Sequence, residues 1–331
     1  MGDKDVSRAI SEDGEKKTHI GGQALIEGVM MRGRYNWAVA VREPNGNMYT
    51  EEADLASGKD KNSWLYWPVI RGCTSFVESL ALGFKALTVA ADHAFNDEEA
   101  DEEEEFGTGE MVLSMVLGIA LALALFIVVP AVVTNLLVGE YDQDTLTWNI
   151  VDGVLRVVVF IFYIWLIGRM SDIKRMFAYH GAEHKTIHCF EHGLPLTPEN
   201  ARQFPRLHVR CGTAFLITVM LIAIVVYTVV PLDDLIRAWG ITDTVPKLIL
   251  VMLVRVLLLP LIAGFSYEVT VKWAGTHPDS PLVKVILWPG LQMQRLTTHE
   301  PDDDMLECAI AAMKLVIARE EQEAKKAQAV G

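Results

Sequence analysis

Four apolar runs constrain this chain before anything else does. They fall at residues 111–138, 151–168, 212–232 and 247–265. Each is near the ~20 residues that a helix needs to cross a hydrocarbon core of about 30 Å. Together with 51% hydrophobic residues, they predict a mainly α, polytopic membrane protein of about four transmembrane helices. No comparable run occurs in the first sixty residues, so no secretory signal peptide is expected.

Basic residues orient the predicted spans. Segment 139–149 has three acidic residues and no basic one, and 233–246 has only Arg237. The connection between the second and third runs carries Arg169, Lys174, Arg175, Lys185, Arg202, Arg206 and Arg210. Positive loops stay inside, so this connection and both termini are expected in the cytoplasm, with the chain multi-pass. The lipid bilayer is then a partner by construction. A cytoplasmic protein is a possible second one, and the substrate is not named by the residues. Net charge is −14, but eight of the nine residues 97–105 are acidic, which concentrates the excess in one linker. No basic face points to nucleic acid. The four cysteines, Cys73, Cys189, Cys211 and Cys308, all fall on the cytoplasmic side of this topology, where thiols stay reduced.

The rest of the chain divides around the spans. Residues 1–19 are polar and expected to be disordered. Residues 20–95 form a cytoplasmic portion that contributes the α+β character. Its glycine-punctuated start, 21–33, fits a tight turn before a strand or a ligand loop. Residues 37–42 and 48–52 flank Pro44-Asn-Gly-Asn47 and predict a β-hairpin. Residues 64–95 have helical periodicity interrupted by Arg71, Glu78 and Lys85, which predicts an amphipathic helix, interfacial or re-entrant. An acidic linker, 96–110, leads to the first two spans within 111–168. A motif-bearing loop follows at 169–211, then two further spans within 212–265. The C-terminal part, 266–331, holds two amphipathic segments, 281–292 and 302–320. Arg156 and Arg255 lie within spans, with Glu268 just beyond. Charges at depth face the bundle interior and pair, so they are expected to tie spans together rather than form a transport route.

The motif loop carries the chemistry. His180, His184, His188 and His192 recur every four residues, on a helix that Ser171 is expected to cap and Gly193 to end. With about 100° per residue, His180, Glu183 and His184 share one face. His-Gly-Ala-Glu-His is the H-x-x-E-H pattern, in which two imidazoles one turn apart hold a divalent metal, zinc above all, and the carboxylate manages a water proton. Glu183 is therefore the expected general base, while Arg210 and Lys185 could meet an anionic group or developing negative charge. Glu191 points the right way but lies about 10 Å along the axis from His184. His188 and His192 turn off the face, and Cys189 sits opposite it. The third ligand must come from outside the helix, and His208 and Cys211 are the candidates, after a short helix beginning at Thr197-Pro198. A Cys ligand would favour a closed structural site, and a His with water would suit hydrolysis.

Four segments together resemble a known family. Gly21-Gly-Gln-Ala-Leu-Ile-Glu-Gly-Val-Met30, Tyr179-His-Gly-Ala-Glu-His-Lys185, Leu207-His-Val-Arg-Cys-Gly212 and Leu296-Thr-Thr-His-Glu-Pro301 are similar, in this order, to the YqhQ-like bacterial membrane proteins. The resemblance implies a domain of unknown function catalogued as a predicted metal-dependent enzyme. His180, Glu183, His184, Glu191, His208, Arg210 and Cys211 correspond to motif positions, whereas His188 and His192 are additions. The residues and the resemblance together lead to a zinc-type membrane hydrolase with a cytoplasmic site. The alternatives are a non-catalytic scaffold or regulator with a structural metal or histidine cluster, and an ion or solute transporter.

Overall fold

The computed structural model describes residues 20–55, 63–95, 108–230, 232–274 and 280–330. The expected disordered start and most of the acidic linker lie outside the described residues. Helices dominate, joined to one four-stranded sheet.

The sheet is an antiparallel meander of β1 (Gly21–Leu25), β2 (Gly28–Arg32), β3 (Asn36–Arg42) and β4 (Met48–Asp54). The expected hairpin is its second half. The glycine-rich segment is neither a plain turn nor a ligand loop but a first hairpin, with Leu25 opposite Gly28 and Glu27 in the left-handed region at φ 50°. Alternation along β2 and β3 buries both faces. Val29, Met31, Ala38 and Ala40 face one core, while Met30, Trp37, Val39 and Val41 face another.

Helix α1 (Ile70–Ala94) covers the second of these faces through Ala86, Ala90 and Ala94, small residues one turn apart that allow close approach. The helix is expected to be amphipathic, yet it is also long and apolar enough to cross a membrane. The three charges that interrupt its apolar pattern are each partnered. Arg71 pairs with Glu268, Glu78 with Arg32 at 3.5 Å, and Lys85 lies over the Trp37 ring. Its first turn packs on the last span, where Gly72 meets Gly264 and Tyr267.

The apolar layer contains α2 (Thr108–Leu123) and α3 (Val129–Val138), joined by a π-helical turn at Ala124–Val128, where Pro130 cannot continue the regular ladder. It continues with α4 (Thr145–Ile167), α5 (Ser171–Glu191) and the short α6 (Pro198–Arg202) intervene as the motif loop, and α7 (Gly212–Val229), α8 (Leu232–Ala238) and α9 (Thr244–Tyr267) complete it. The segments Val116–Val138, Thr145–Ile167 and Thr244–Val271 are long and apolar enough to span a membrane, as is α1, whereas the third expected span is a shorter apolar helix. Exposed Leu121, Leu136, Leu137, Phe162, Val225 and Leu257 give the layer an outward apolar surface far beyond scattered surface leucines, as a lipid-facing surface requires.

The buried charges pair as expected, through a carboxylate at the start of the second run. Asp152 accepts from Arg156 Nε at 2.8 Å and from Arg255, whose other nitrogen bonds Asn149 Oδ1 at 2.5 Å. This ties α4 to α9. Glu268 belongs elsewhere, on Arg71.

Two helices close the structure. α10 (Pro281–Thr297) lies against α4 and α7 through Met293, Phe160 and Ile217. α11 (Asp303–Val330) covers the first sheet face together with α5, through Leu306, Ala309, Met313 and Val316. Asp302 caps it by accepting from the Met305 amide at 2.9 Å.

Candidate metal centre

The histidine helix α5 starts three residues after α4 ends. Its Ncap is Met170 rather than Ser171, whose hydroxyl instead bonds Asp172. Gly193, at φ 69°, ends it as expected. The helix is buried on nearly all sides from Ala178 to Glu191, between the sheet, α11 and the segment 202–211. The catalytic candidates therefore sit where the apolar bundle meets the sheet layer.

His180, His184 and Cys211 form one cluster, with one ligand atom from each lying within 4.8 Å of the others. Backbone carbonyls set both imidazole tautomers. His180 Nδ1 donates to Thr297 O at 2.8 Å and His184 Nδ1 to Arg206 O at 2.6 Å. In the neutral ring each Nε2 then carries the lone pair, the arrangement typical of metal-ligating histidines. His180 Nε2 lies 3.2 Å from Cys211 Sγ, and His184 Nε2 is buried with no hydrogen-bond partner among the described residues. Cys211 is the Ncap of α7, and its sulfur accepts from the Thr213 amide at 3.4 Å.

The electrostatics suit a cation. Burial pushes the Cys211 thiol up, but His180 and His184 outweigh it and hold the thiol well below its ordinary range. Burial opposes charge on His180, yet the Cys211 thiolate, its hydrogen bond and Glu183 raise that imidazole to about 9. The donors fit zinc: thiolate sulfur and neutral imidazole nitrogen are its usual ligands, and three protein ligands leave one tetrahedral position open.

Glu183 is buried beside this cluster without belonging to it. Burial raises its carboxyl above the ordinary range, against the pull of His180 and His184. One oxygen accepts from the Gly22 amide, and Oε2 has no partner among the described residues. This contact explains the glycine. A Cβ at position 22 would lie 2.8 Å from the Glu183 side chain and 2.7 Å from Met30 O. Gly22→Ala should therefore cost about 1–3 kcal/mol, as overpacking does, and displace Glu183; thermal unfolding in detergent checks it, and an unchanged midpoint would show the approach to be loose.

The other candidates are held apart. His208 does not join His180 and His184 but meets His188 and Glu191, with ligand atoms again within 4.8 Å and all three residues buried. Burial, and then the neighbouring His188 and Arg210, hold His208 well below its usual value. Burial likewise takes His188 down to about 4. Arg210 pairs with Glu191 at the rim of this second cluster. Lys185 faces neither cluster. Its ammonium donates to Arg202 O at 3.1 Å and Phe204 O at 2.8 Å and pairs with Glu300 at 2.9 Å, so it anchors the loop. His192 donates to His188 O and packs on Phe204, and Cys189 is buried in the core.

Residue-type reasoning missed the frame around the clusters. Gln294 grips the His208 backbone in both directions, at 2.8 and 2.9 Å, and Thr297 O orients His180. The segment 296–301 supplies no member of either cluster and acts through the Thr297 carbonyl on His180 and the Glu300 carboxylate on Lys185.

An apolar helical bundle topped by a sheet, with a half-buried His–His–Cys cluster at their junction that could hold a metal ion, defines a class of protein whose four longest apolar helices are long enough to cross a membrane. The chain belongs to a family described as Protein of unknown function (DUF1385), whose model matches residues 67–319. It is 32% identical over 309 residues to the "Uncharacterized protein YqhQ" of Bacillus subtilis (strain 168), covering 91% of this chain and 92% of that one. No solved structure matches it.

Proposed function

We propose that the protein is a zinc-dependent hydrolase of the bacterial inner membrane, with His180, His184 and Cys211 as ligands and Glu183 as general base. The carrying observation is that two tautomer-locked imidazoles and a thiolate converge within one ligand sphere. A bound ion supplies Lewis acidity to a carbonyl or phosphoryl oxygen and acidifies water. The remaining work belongs to the chain. Gly22 holds one Glu183 oxygen and leaves the other buried and ready to accept a proton. Arg210, one-third exposed and paired with Glu191, is a candidate cation for an anionic substrate group, and Lys185 serves by holding the loop. By the distribution of basic residues, both termini and this centre face the cytoplasm.

A thiolate ligand also favours a second reading, a non-catalytic scaffold with a closed structural ion. Glu183→Gln separates the two. In a strain lacking the native copy, the hydrolase reading expects this variant to retain metal and lose complementation. Full complementation with metal bound would remove the case for Glu183 chemistry and favour the scaffold.

A further inference from the structure

His188, Glu191 and His208 carry more than the core packing of three polar side chains requires. All three are buried, and one ligand atom from each lies within 4.8 Å of the others. His188 Nε2 donates to Leu207 O at 3.0 Å, which leaves the Nδ1 lone pair facing inward with no partner among the described residues. That ring is fully buried, and an unpaired acceptor at such a place costs on the order of 1–3 kcal/mol.

Spacing separates a ligand set from a hydrogen-bonded cluster. Glu191 Oε2 lies 3.7 Å from His208 Nε2, longer than a hydrogen bond. Two ligands at about 2.1 Å from a tetrahedral ion are separated by roughly 3.4 Å, close to what is observed. The His188 and His208 rings meet edge to face, 4.6 Å apart at 65°, rather than stacking. Supports are also in place. Arg210 engages the other oxygen of Glu191, and the paired amide bonds of Gln294 fix the His208 backbone. The Arg210 amide donates to His208 Nδ1 at 3.3 Å, which puts the ring proton on Nε2, so an ion held there requires the other tautomer and the loss of this bond.

We propose that His188, Glu191 and His208 form a second divalent-cation site, so that successive turns of α5 carry two ions side by side. The proposal rests on the reading of the first cluster as a metal centre. The rings of His184 and His208, one from each triad, are 5.6 Å apart between centroids, so the two sites are neighbours, as in two-metal hydrolases that clamp both oxygens of a displacement. Their donors differ. The first offers sulfur and suits zinc, whereas two nitrogens and a carboxylate accept zinc, cobalt, manganese or iron(II).

The test uses the full chain in detergent, stripped of metal and reloaded with zinc or with cobalt(II), with ions per chain counted by elemental analysis. Wild type should hold two. His188→Ala and Glu191→Gln should each hold one and keep the thiolate-to-cobalt charge-transfer absorption. Cys211→Ala should also hold one and lack that absorption. A wild type with one ion, removed by Cys211→Ala and untouched by His188→Ala, would overturn the second site and leave the hydrolase proposal standing. Two ions that both survive His188→Ala and Glu191→Gln would equally overturn it. No bound ion in wild type would overturn both proposals.

Discussion

Cys211→Ala and His184→Ala should each weaken zinc binding at the first cluster by more than about 100-fold, since losing even an outer-shell partner costs 10–100-fold. The reason is specific to this geometry. His180 and His184 are locked by Thr297 O and Arg206 O, so neither ring can turn to replace a missing donor, and His208 is held in the neighbouring cluster by Gln294. Binding that favours the folded state also stabilises it, by about 4 kcal/mol when free metal is 1,000-fold above Kd. In the His188→Ala background, which leaves only the first cluster, a chelator should therefore lower the unfolding midpoint, and adding Cys211→Ala should nearly abolish that sensitivity. Equal chelator sensitivity in both would place the stabilising ion elsewhere.

Asp152→Ala should be among the most destabilising single changes in the apolar layer. It strands two guanidiniums, Arg255 and Arg156, which share the one carboxylate. Breaking a buried pair by removing one partner costs about 3–5 kcal/mol. Arg255→Met should cost less, because Asp152 keeps Arg156 and the methionine fills space beside Trp148 and Tyr227, whose rings Arg255 now covers. The ordering is the informative part. Unfolding in detergent with Arg255→Met as damaging as Asp152→Ala would mean that the carboxylate is not the shared anchor.

Much of the architecture was legible because composition alone determines it. Long apolar runs can satisfy their backbone in lipid only as helices, and three of the four expected runs are long spanning-type helices here. The hairpin at β3 and β4 was legible from its Asn-Gly turn. β1 was not, because glycines have low strand propensity; Gly22 is there to let the chain approach Glu183, a requirement imposed by a helix 160 residues further on. Asp152 was in plain view four residues before Arg156, yet only the fold shows that it also reaches Arg255 on another helix.

At the site, the helical wheel placed His180, Glu183 and His184 together and correctly moved His188 off their face. It could not say what His188 would meet there, because that depends on where the loop through Pro205 sets down His208. The same loop decides that Cys211, rather than His208, joins the first pair. Residue types gave the candidates, and main-chain carbonyls from Thr297, Arg206 and Leu207, invisible in any motif, decide which nitrogen of each ring points inward.

X-ray absorption at the zinc edge tests the central claim most directly, on full-length protein carrying His188→Ala so that the first cluster dominates the signal. The account predicts one sulfur at about 2.3 Å and two imidazole nitrogens at about 2.0–2.1 Å, with a further light atom completing the shell. A shell without sulfur, or protein that retains no zinc, would contradict it.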